Sequence, residues 1–432
     1  MAGLAALGLG AASCGHLRAP AKSGTAEQAQ LVYQDWRTEW FPPLAQKLLA
    51  KFHELNPDIR VFYTPDPENL EDKMLSDMQA GTASDVFQGC CTFFPVWAQK
   101  GYTLDLRPYV AADLDRETIR DWDPAQYNAF FAADGRQYGL PKYHGALALF
   151  YNKDHFDRFK VDYPDQSWDY DDYAAAMKRL THDLDGDGKL DLWGSMMDIS
   201  WDRIQVHVNA WGGHLVDPQN SARSLMAEPA ALEAVEWIRA RIWDDHTMAC
   251  ALDVRNMTIT QAFTAGRLAM VEDGSWSLRS ILDSATFRLG LAPLPRGPAR
   301  RATLATTDGF GIYAGTRYPD AAWRLLKFLV SPYAGSLMAQ AHFLQPARAS
   351  LLEDWAGFVR SEFPAQTEGL DLAAFAHGHL QDYSVISETF ANMDEAQELA
   401  DAAWQRILTL GQAPTALIET VSQQIEQAQP QG

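Results

Sequence analysis

Positive charge is scarce in this chain. Its 432 residues carry 36 Lys and Arg against 56 Asp and Glu, a formal charge of −20. No Lys/Arg cluster interrupts that balance. Such a surface repels nucleic acid and anionic lipid, so neither is an expected partner. Cysteine is also sparse: there are four, with no Cys-x-x-Cys and no zinc spacing. Cys90 and Cys91 are neighbours, an awkward geometry for a bond between them, and pairing either with Cys250 leaves a thiol over. Buried thiols are the expectation. No apolar run reaches the length of a membrane-spanning helix. The nucleophile elbow, the HExxH zinc helix, the P-loop and the dinucleotide glycine pattern are all missing. A secreted glycan-active enzyme would need a carboxylate pair, but among 56 acidic residues no pair stands out, and no enzyme is expected.

What the chain does have is length, apolar content and tryptophan. At 432 residues, 47% of them hydrophobic, it exceeds one ordinary core. Two lobes of roughly 150–200 residues each are expected. Its 14 tryptophans each offer a flat apolar face and one N–H donor, which together suit a sugar ring as well as a core. Met1 to Ser13 is small, apolar and uncharged, like the end of a signal peptide. Ala11-Ala12-Ser13-Cys14-Gly15 resembles a bacterial lipobox, which would make Cys14 a lipidation site. Residues 15–30 are small and polar, as a flexible tether is.

Periodicity then alternates. Leu31 to Trp36 reads as a strand, Leu44, Leu48, Phe52 and Leu55 mark one helix face, and Asp58 to Thr64 is a second strand. This β-α-β order predicts a parallel sheet. Further strands are predicted at Ser84 to Gly89, Leu147 to Asn152, Arg267 to Asp273 and Phe287 to Pro295. Ser167 and Asp320 are positioned to cap helices, Pro229 to start one, and Gly411 to Pro414 to break the helical C-terminal stretch. The class is α/β.

An ordered set of segments carries a family resemblance. GLPKYHGALALFYNKDHFD (Gly139 to Asp157), SWDYDDYAAAMKRLT (Ser167 to Thr181), AWGGHLVD (Ala210 to Asp217) and AFTAGRLAMVEDGSW (Ala262 to Trp276) resemble the extracellular, maltose-binding-like solute-binding proteins of sugar importers. LAPLPRGP, the segment from Asp308 to Pro332 and LQPARAS complete the set. The resemblance implies a two-lobe periplasmic-binding-protein fold with the ligand in a cleft between lobes joined by hinge crossings. It implies residues 31–140 plus 276–335 in the first lobe, 141–275 plus 336–425 in the second, and a tail at 426–432. It also implies a monomeric receptor in the bacterial periplasm or on the outer face of the cytoplasmic membrane, either lipid-anchored or secreted after cleavage of a simple signal, with a lipid anchor as its only membrane contact. That receptor would capture a carbohydrate and deliver it to an ABC permease. A glycerol phosphate, a polyol or another solute is the alternative cargo.

Open α/β sheets bind ligands beyond the carboxyl ends of their strands. That rule selects Trp36, Gln88 and Thr92 as ligand residues. Tyr143 and His144 precede the strand at the expected crossing, Trp211 stands ahead of the Gly-Gly turn, and Asp308 is placed to accept sugar hydroxyls. The resemblance adds Trp276, from its Gly-x-Trp segment, and Arg348. Trp201 and Asp202 are looser candidates. In THDLDGDGKLDLWG, Asp183, Asp185, Asp187, Lys189 and Asp191 occupy calcium-loop positions one, three, five, seven and nine. Position twelve is Gly194 instead of a carboxylate. Any calcium there is expected to be structural, and no other cofactor is expected.

Overall fold

The computed structural model describes residues 28–255 and 257–430. The signal and lipobox reading, with Cys14, and most of the tether lie outside them. The chain builds β1 (Ala29–Asp35), α1 (Phe41–Leu55), β2 (Ile59–Pro65), α2 (Leu70–Ala80), β3 (Val86–Gly89) and α3 (Phe93–Gln99). After these come β4 (Leu140–Pro141), β5 (Leu147–Asn152), α4 (Trp201–Ala210), β6 (Met270–Gly274), β7 (Leu289–Ala292), β8 (Gly309–Ile312) and α5 (Met393–Trp404).

The first lobe is a five-stranded sheet in the order β2-β1-β3-β8-β4. β1 runs parallel to both neighbours, with Leu31 opposite Val61 and Tyr33 opposite Val86. β8 runs antiparallel to β3 and β4. α1 covers this sheet with Leu44, Leu48 and Phe52, all buried. Leu55, on the same face by count, is 56% exposed, because the helix ends there as the Asn56 N–H bonds the Phe52 carbonyl.

The second lobe holds a three-stranded sheet in the order β6-β5-β7, antiparallel throughout. This corrects the division of the chain. Residues 276–304, assigned by the sequence to the first lobe, pack here, since β7 pairs with β5 and Leu278, Ile281 and Leu282 share a core with Phe150 and Val271. Conversely, Met338, Leu344 and Ala347 belong to the first core. Two caps also differ. Asp169, with Asp172, forms the capping box of the helix Tyr170–Leu180, while Ser167 bonds Asp165. Asp320 sits in the first turn of its helix, behind Pro319.

Three segments cross side by side between the lobes. Tyr143 bridges Pro346, and Ala146 bridges Ala305. The Gly145 N–H donates to Thr306 Oγ1 (3.1 Å), and the Thr306 N–H to the Gly145 carbonyl (2.9 Å). Gln126 Nε2 ties two crossings, donating to the carbonyls of Tyr143 (2.8 Å) and Thr306 (2.6 Å). This is the hinge of the two-lobe periplasmic-binding-protein fold.

Candidate functional site

At the carboxyl ends of β1 and β3 several polar side chains turn into the lobe. They converge on a buried polar cluster. Lys142 Nζ pairs with Asp35, and both side chains are fully buried. The ammonium lies 3.1 Å above the Trp36 ring centroid, a cation–π contact that fills that face. Gln88 Nε2 donates to Asp66 Oδ2 (2.8 Å), and Gln34 Nε2 to Asp66 Oδ1 (3.2 Å). Burial, then the Asp35 charge, pushes the Asp66 carboxyl up to about 6. Burial likewise pushes Asp308 up to about 6, against the opposing pull of Lys142. Gln88 and Asp308, expected to meet ligand, are thus buried inside the lobe, while Trp36 is half-buried, with one face covered by Lys142.

The crossing residues are engaged too. His144 Nε2 lies 2.9 Å from Asp123 Oδ2, and its Nδ1 lies 3.2 Å from Gln345 Nε2. Burial works against the Asp123 charge, but His144 outweighs it and holds the carboxyl down at about 2. Tyr143 is buried with its ring against Trp36. Arg348 donates to the carbonyls of Val330 (3.0 Å) and Thr118 (3.2 Å), and its guanidinium covers the Trp122 ring at 4.4 Å. It clamps the third crossing. Trp211 stands in an aromatic cluster with Tyr170 (4.6 Å) and Trp237 (5.9 Å) inside the second lobe.

Open space lies elsewhere along the lobe seam. Two cavities, of about 770 and 640 Å³, meet at Gln397 and Asp401, which line both. The first is walled by the stretch before and into α4, by Asp273 at the end of β6, and by Trp276. The second sets Glu71, Asp72, Cys91 and Thr92 of the first lobe against Asp394, Gln397 and Glu398 of α5. The lobes touch across it: Thr92 Oγ1 donates to Gln397 Oε1 (3.2 Å). Burial, then the Asp394 charge, raises the Glu71 carboxyl, and burial raises that of Asp401. Of the expected ligand residues, Thr92, Trp276 and the looser candidate Trp201 line this groove. Asp202 is held instead by the Ser387 hydroxyl.

Trp276 packs against both main cores. Its ring is pinned by two glycines: a Cβ at Gly274 would stand 2.2 Å from it and one at Gly145 3.0 Å from it. The Arg203 guanidinium lies 5.1 Å from the ring, and its Nη2 donates to Asp273 Oδ1 (3.3 Å). Arg203 Nε is buried without a partner. Arg203, Asp273, Gln397 and Asp401 escaped the sequence reading. An arginine three residues after a Ser cap on an amphipathic helix carries no signal that it faces a lobe seam. A third cavity of about 830 Å³, between Ala125–Ala133 and residues 384–389, has no Trp, Tyr or Phe in its walls.

The aspartate loop is separate from the groove. Asp183, Asp185 and Asp187 bring their carboxylates within 4.8 Å of one another. The loop already satisfies much of itself: Asp183 accepts from the Gly186 (2.7 Å) and Gly188 (2.8 Å) N–H groups, Asp191 from the Leu184 N–H (2.7 Å), and Lys189 Nζ pairs with Asp187 (2.6 Å). At position twelve, Gly194 packs on the Met177 backbone, where a Cβ would stand 2.4 Å from Met177 Cα. The loop therefore offers three of the carboxylates that a calcium loop uses and no bidentate one.

A putative binding protein of Brucella abortus (strain 2308) is 25% identical over 292 residues, which cover 66% of this chain and 68% of that one. The ABC substrate-binding protein Lmo0181 of Listeria monocytogenes, solved in complex with cycloalternan, superposes with a TM-score of 0.79 at 20% identity, over 93% of this chain and 98% of that one. UgpB of Mycobacterium tuberculosis, solved in complex with glycerophosphocholine, superposes with a TM-score of 0.75 at 17% identity, over 92% and 98%. The two-lobe fold is shared with both. Residues 35–335 match the model of the bacterial extracellular solute-binding proteins, and the chain belongs to that family.

Proposed function

We propose that the groove at Trp276 binds a neutral carbohydrate, and that the protein is the receptor of an ABC importer. The observation that carries this is the ring itself, half-buried at the crossing, with a cavity before it and an Arg203–Asp273 pair beside it. An indole face accepts the CH face of a pyranose, and the Arg203–Asp273 pair beside it serves hydroxyls. Closure about the three crossings brings Thr92 to Gln397 and sequesters the solute. The protein then acts outside the membrane as a monomer, tethered through Cys14, and passes its cargo to a permease without a chemical step. Calcium, if the aspartate loop takes it, braces that loop.

The relative that holds glycerophosphocholine makes a phosphodiester the second reading. The lining speaks against it. Carboxylates from both lobes face the groove, and among the described residues Arg203, already beside Asp273, is its one guanidinium. The test is a thermal-shift screen of the chain beginning after Cys14 against mono- and oligosaccharides, polyols and glycerol phosphodiesters. A solute bound only by the folded state raises the melting temperature, by about 2.7 kcal/mol of stabilisation at a hundredfold excess over Kd. Carbohydrate is expected to give that rise. A rise with phosphodiesters alone overturns the reading.

A further inference from the structure

Cys90 and Cys91 do not behave as the buried thiols that the sequence suggested. They follow β3 directly, where the chain turns into α3. Cys91 is exposed and lines the groove between the lobes, and Cys90 is only partly covered. Their sulfurs lie 2.7 Å apart. Cys91 also holds a φ of 54°, in the left-handed region that non-glycine residues seldom occupy. Such a conformation persists where the surroundings enforce it, and it gathers at functional turns. Here the Phe94 N–H holds the Cys90 carbonyl (3.2 Å), and Thr307 Oγ1 approaches the Cys91 carbonyl (3.4 Å). The next residue is Thr92, which makes the cross-lobe bond to Gln397. Cys250, by contrast, is buried within the second lobe.

The geometry points to a modification site: Cys90 and Cys91 form a reversible vicinal disulfide at the wall of the solute groove. The family is extracellular, and disulfides form and persist in such oxidising surroundings. The oxidant is an external disulfide, carried by a thiol oxidase or a small disulfide. The exposed Cys91 sulfur attacks it as the thiolate, giving a mixed disulfide and releasing one external thiol. The Cys90 sulfur then displaces the second external thiol and closes the bond. Two hydrogens leave the protein, and one external disulfide becomes two thiols. Adjacent Cα atoms sit about 3.8 Å apart across a trans peptide, below the usual disulfide span of about 4.4–6.8 Å. A bond there is readily reduced, which places it among the labile, regulatory disulfides. It fixes the turn that presents Thr92 to Gln397, whatever solute the groove holds.

The full chain, isolated from an oxidising bacterial periplasm, is unfolded in guanidinium with an alkylating reagent present, then digested and mapped by mass. Denaturation removes burial as a cause of protection, and Cys250 is the internal control. Cys250 is expected to be alkylated, while the peptide holding Cys90 and Cys91 is unlabelled and two hydrogens lighter than its dithiol form. Dithiothreitol before alkylation restores both labels. In Cys91→Ser, Cys90 is labelled without reductant. Full labelling of both cysteines before reduction overturns the site, as does a cross-link from either to Cys250. Oxygen added to sulfur that dithiothreitol does not remove overturns it too. None of these outcomes depends on which solute binds.

Discussion

Replacing Trp276 with alanine removes the ring that the groove presents at the crossing. Tryptophan buries about 150–250 Å² when fully enclosed. The two cores and the glycines at 145 and 274 already cover part of it. A pyranose on the free face would remove a further ~60–80 Å² from water, worth ~1.5–2 kcal/mol at about 25 cal/mol per Å². At about 1.4 kcal/mol per tenfold, carbohydrate affinity should fall by about 10- to 30-fold. Titration calorimetry with the best carbohydrate of the screen reads this directly. Alanine also removes packing between the lobes, so a drop in stability is expected alongside. Trp276→Phe separates the two effects: it keeps an aromatic plate against Gly274 and should lose less than half of the binding energy that alanine loses. If Trp276→Ala folds and binds its carbohydrate as tightly as the parent, the stacking argument fails and the groove must be read through its polar residues alone.

Three other outcomes follow from the site. Lys142→Met leaves the fully buried Asp35 without its cation and should cost about 3–5 kcal/mol in denaturant unfolding, most of it recovered in Asp35→Leu/Lys142→Met; a single variant as stable as the parent would show that the pair is not ionised. The Asp308 carboxyl is raised to about 6 in the fold against about 3.9 in an unfolded chain, so the folded state binds the extra proton between those values. Its ionisation therefore costs stability above about pH 6, and the cost fades as pH falls towards 4. Asp308→Asn should thus gain most over the parent at pH 7.5, on the order of 2 kcal/mol, and progressively less towards pH 4, with a flat difference across parallel melts counting against it. Chelating divalent cations should leave carbohydrate affinity unchanged, because the Asp183–Asp191 loop lines none of the groove; a lost calorimetric signal would tie that loop to closure.

The parts of this molecule that were legible from its residues are those written in local period. Leu44, Leu48 and Phe52 return every four residues because a helix does, and they are buried. Alternating strands and helices give α/β, and the ordered segments give the family. Sheet membership is not local. β7 reads as a strand in either lobe, and it takes its ladder to β5 and the packing of Leu278, Ile281 and Leu282 to place residues 276–304 in the second. The same limit governs the site. A polar residue at a strand's carboxyl end faces a ligand only if no neighbouring strand end faces it first. Asp35, Asp66, Gln88, Lys142 and Asp308 converge from several segments, with Lys142 paired to Asp35 and Gln88 to Asp66, so the strand-end rule that chose Gln88 found a lobe's interior, as did the separate choice of Asp308. Thr92 lies beyond that cluster and reaches the groove. Trp276 was readable for a different reason. The glycine before it at 274 is where a side chain would collide with the indole, so the pair Gly-x-Trp records a steric requirement within three residues. Arg203 has no such record: its neighbours in sequence make a helix, and its partners Asp273 and Trp276 arrive about seventy residues later. Local steric necessity survives in a sequence, whereas electrostatic pairing between distant segments becomes visible only once the chain has closed on itself.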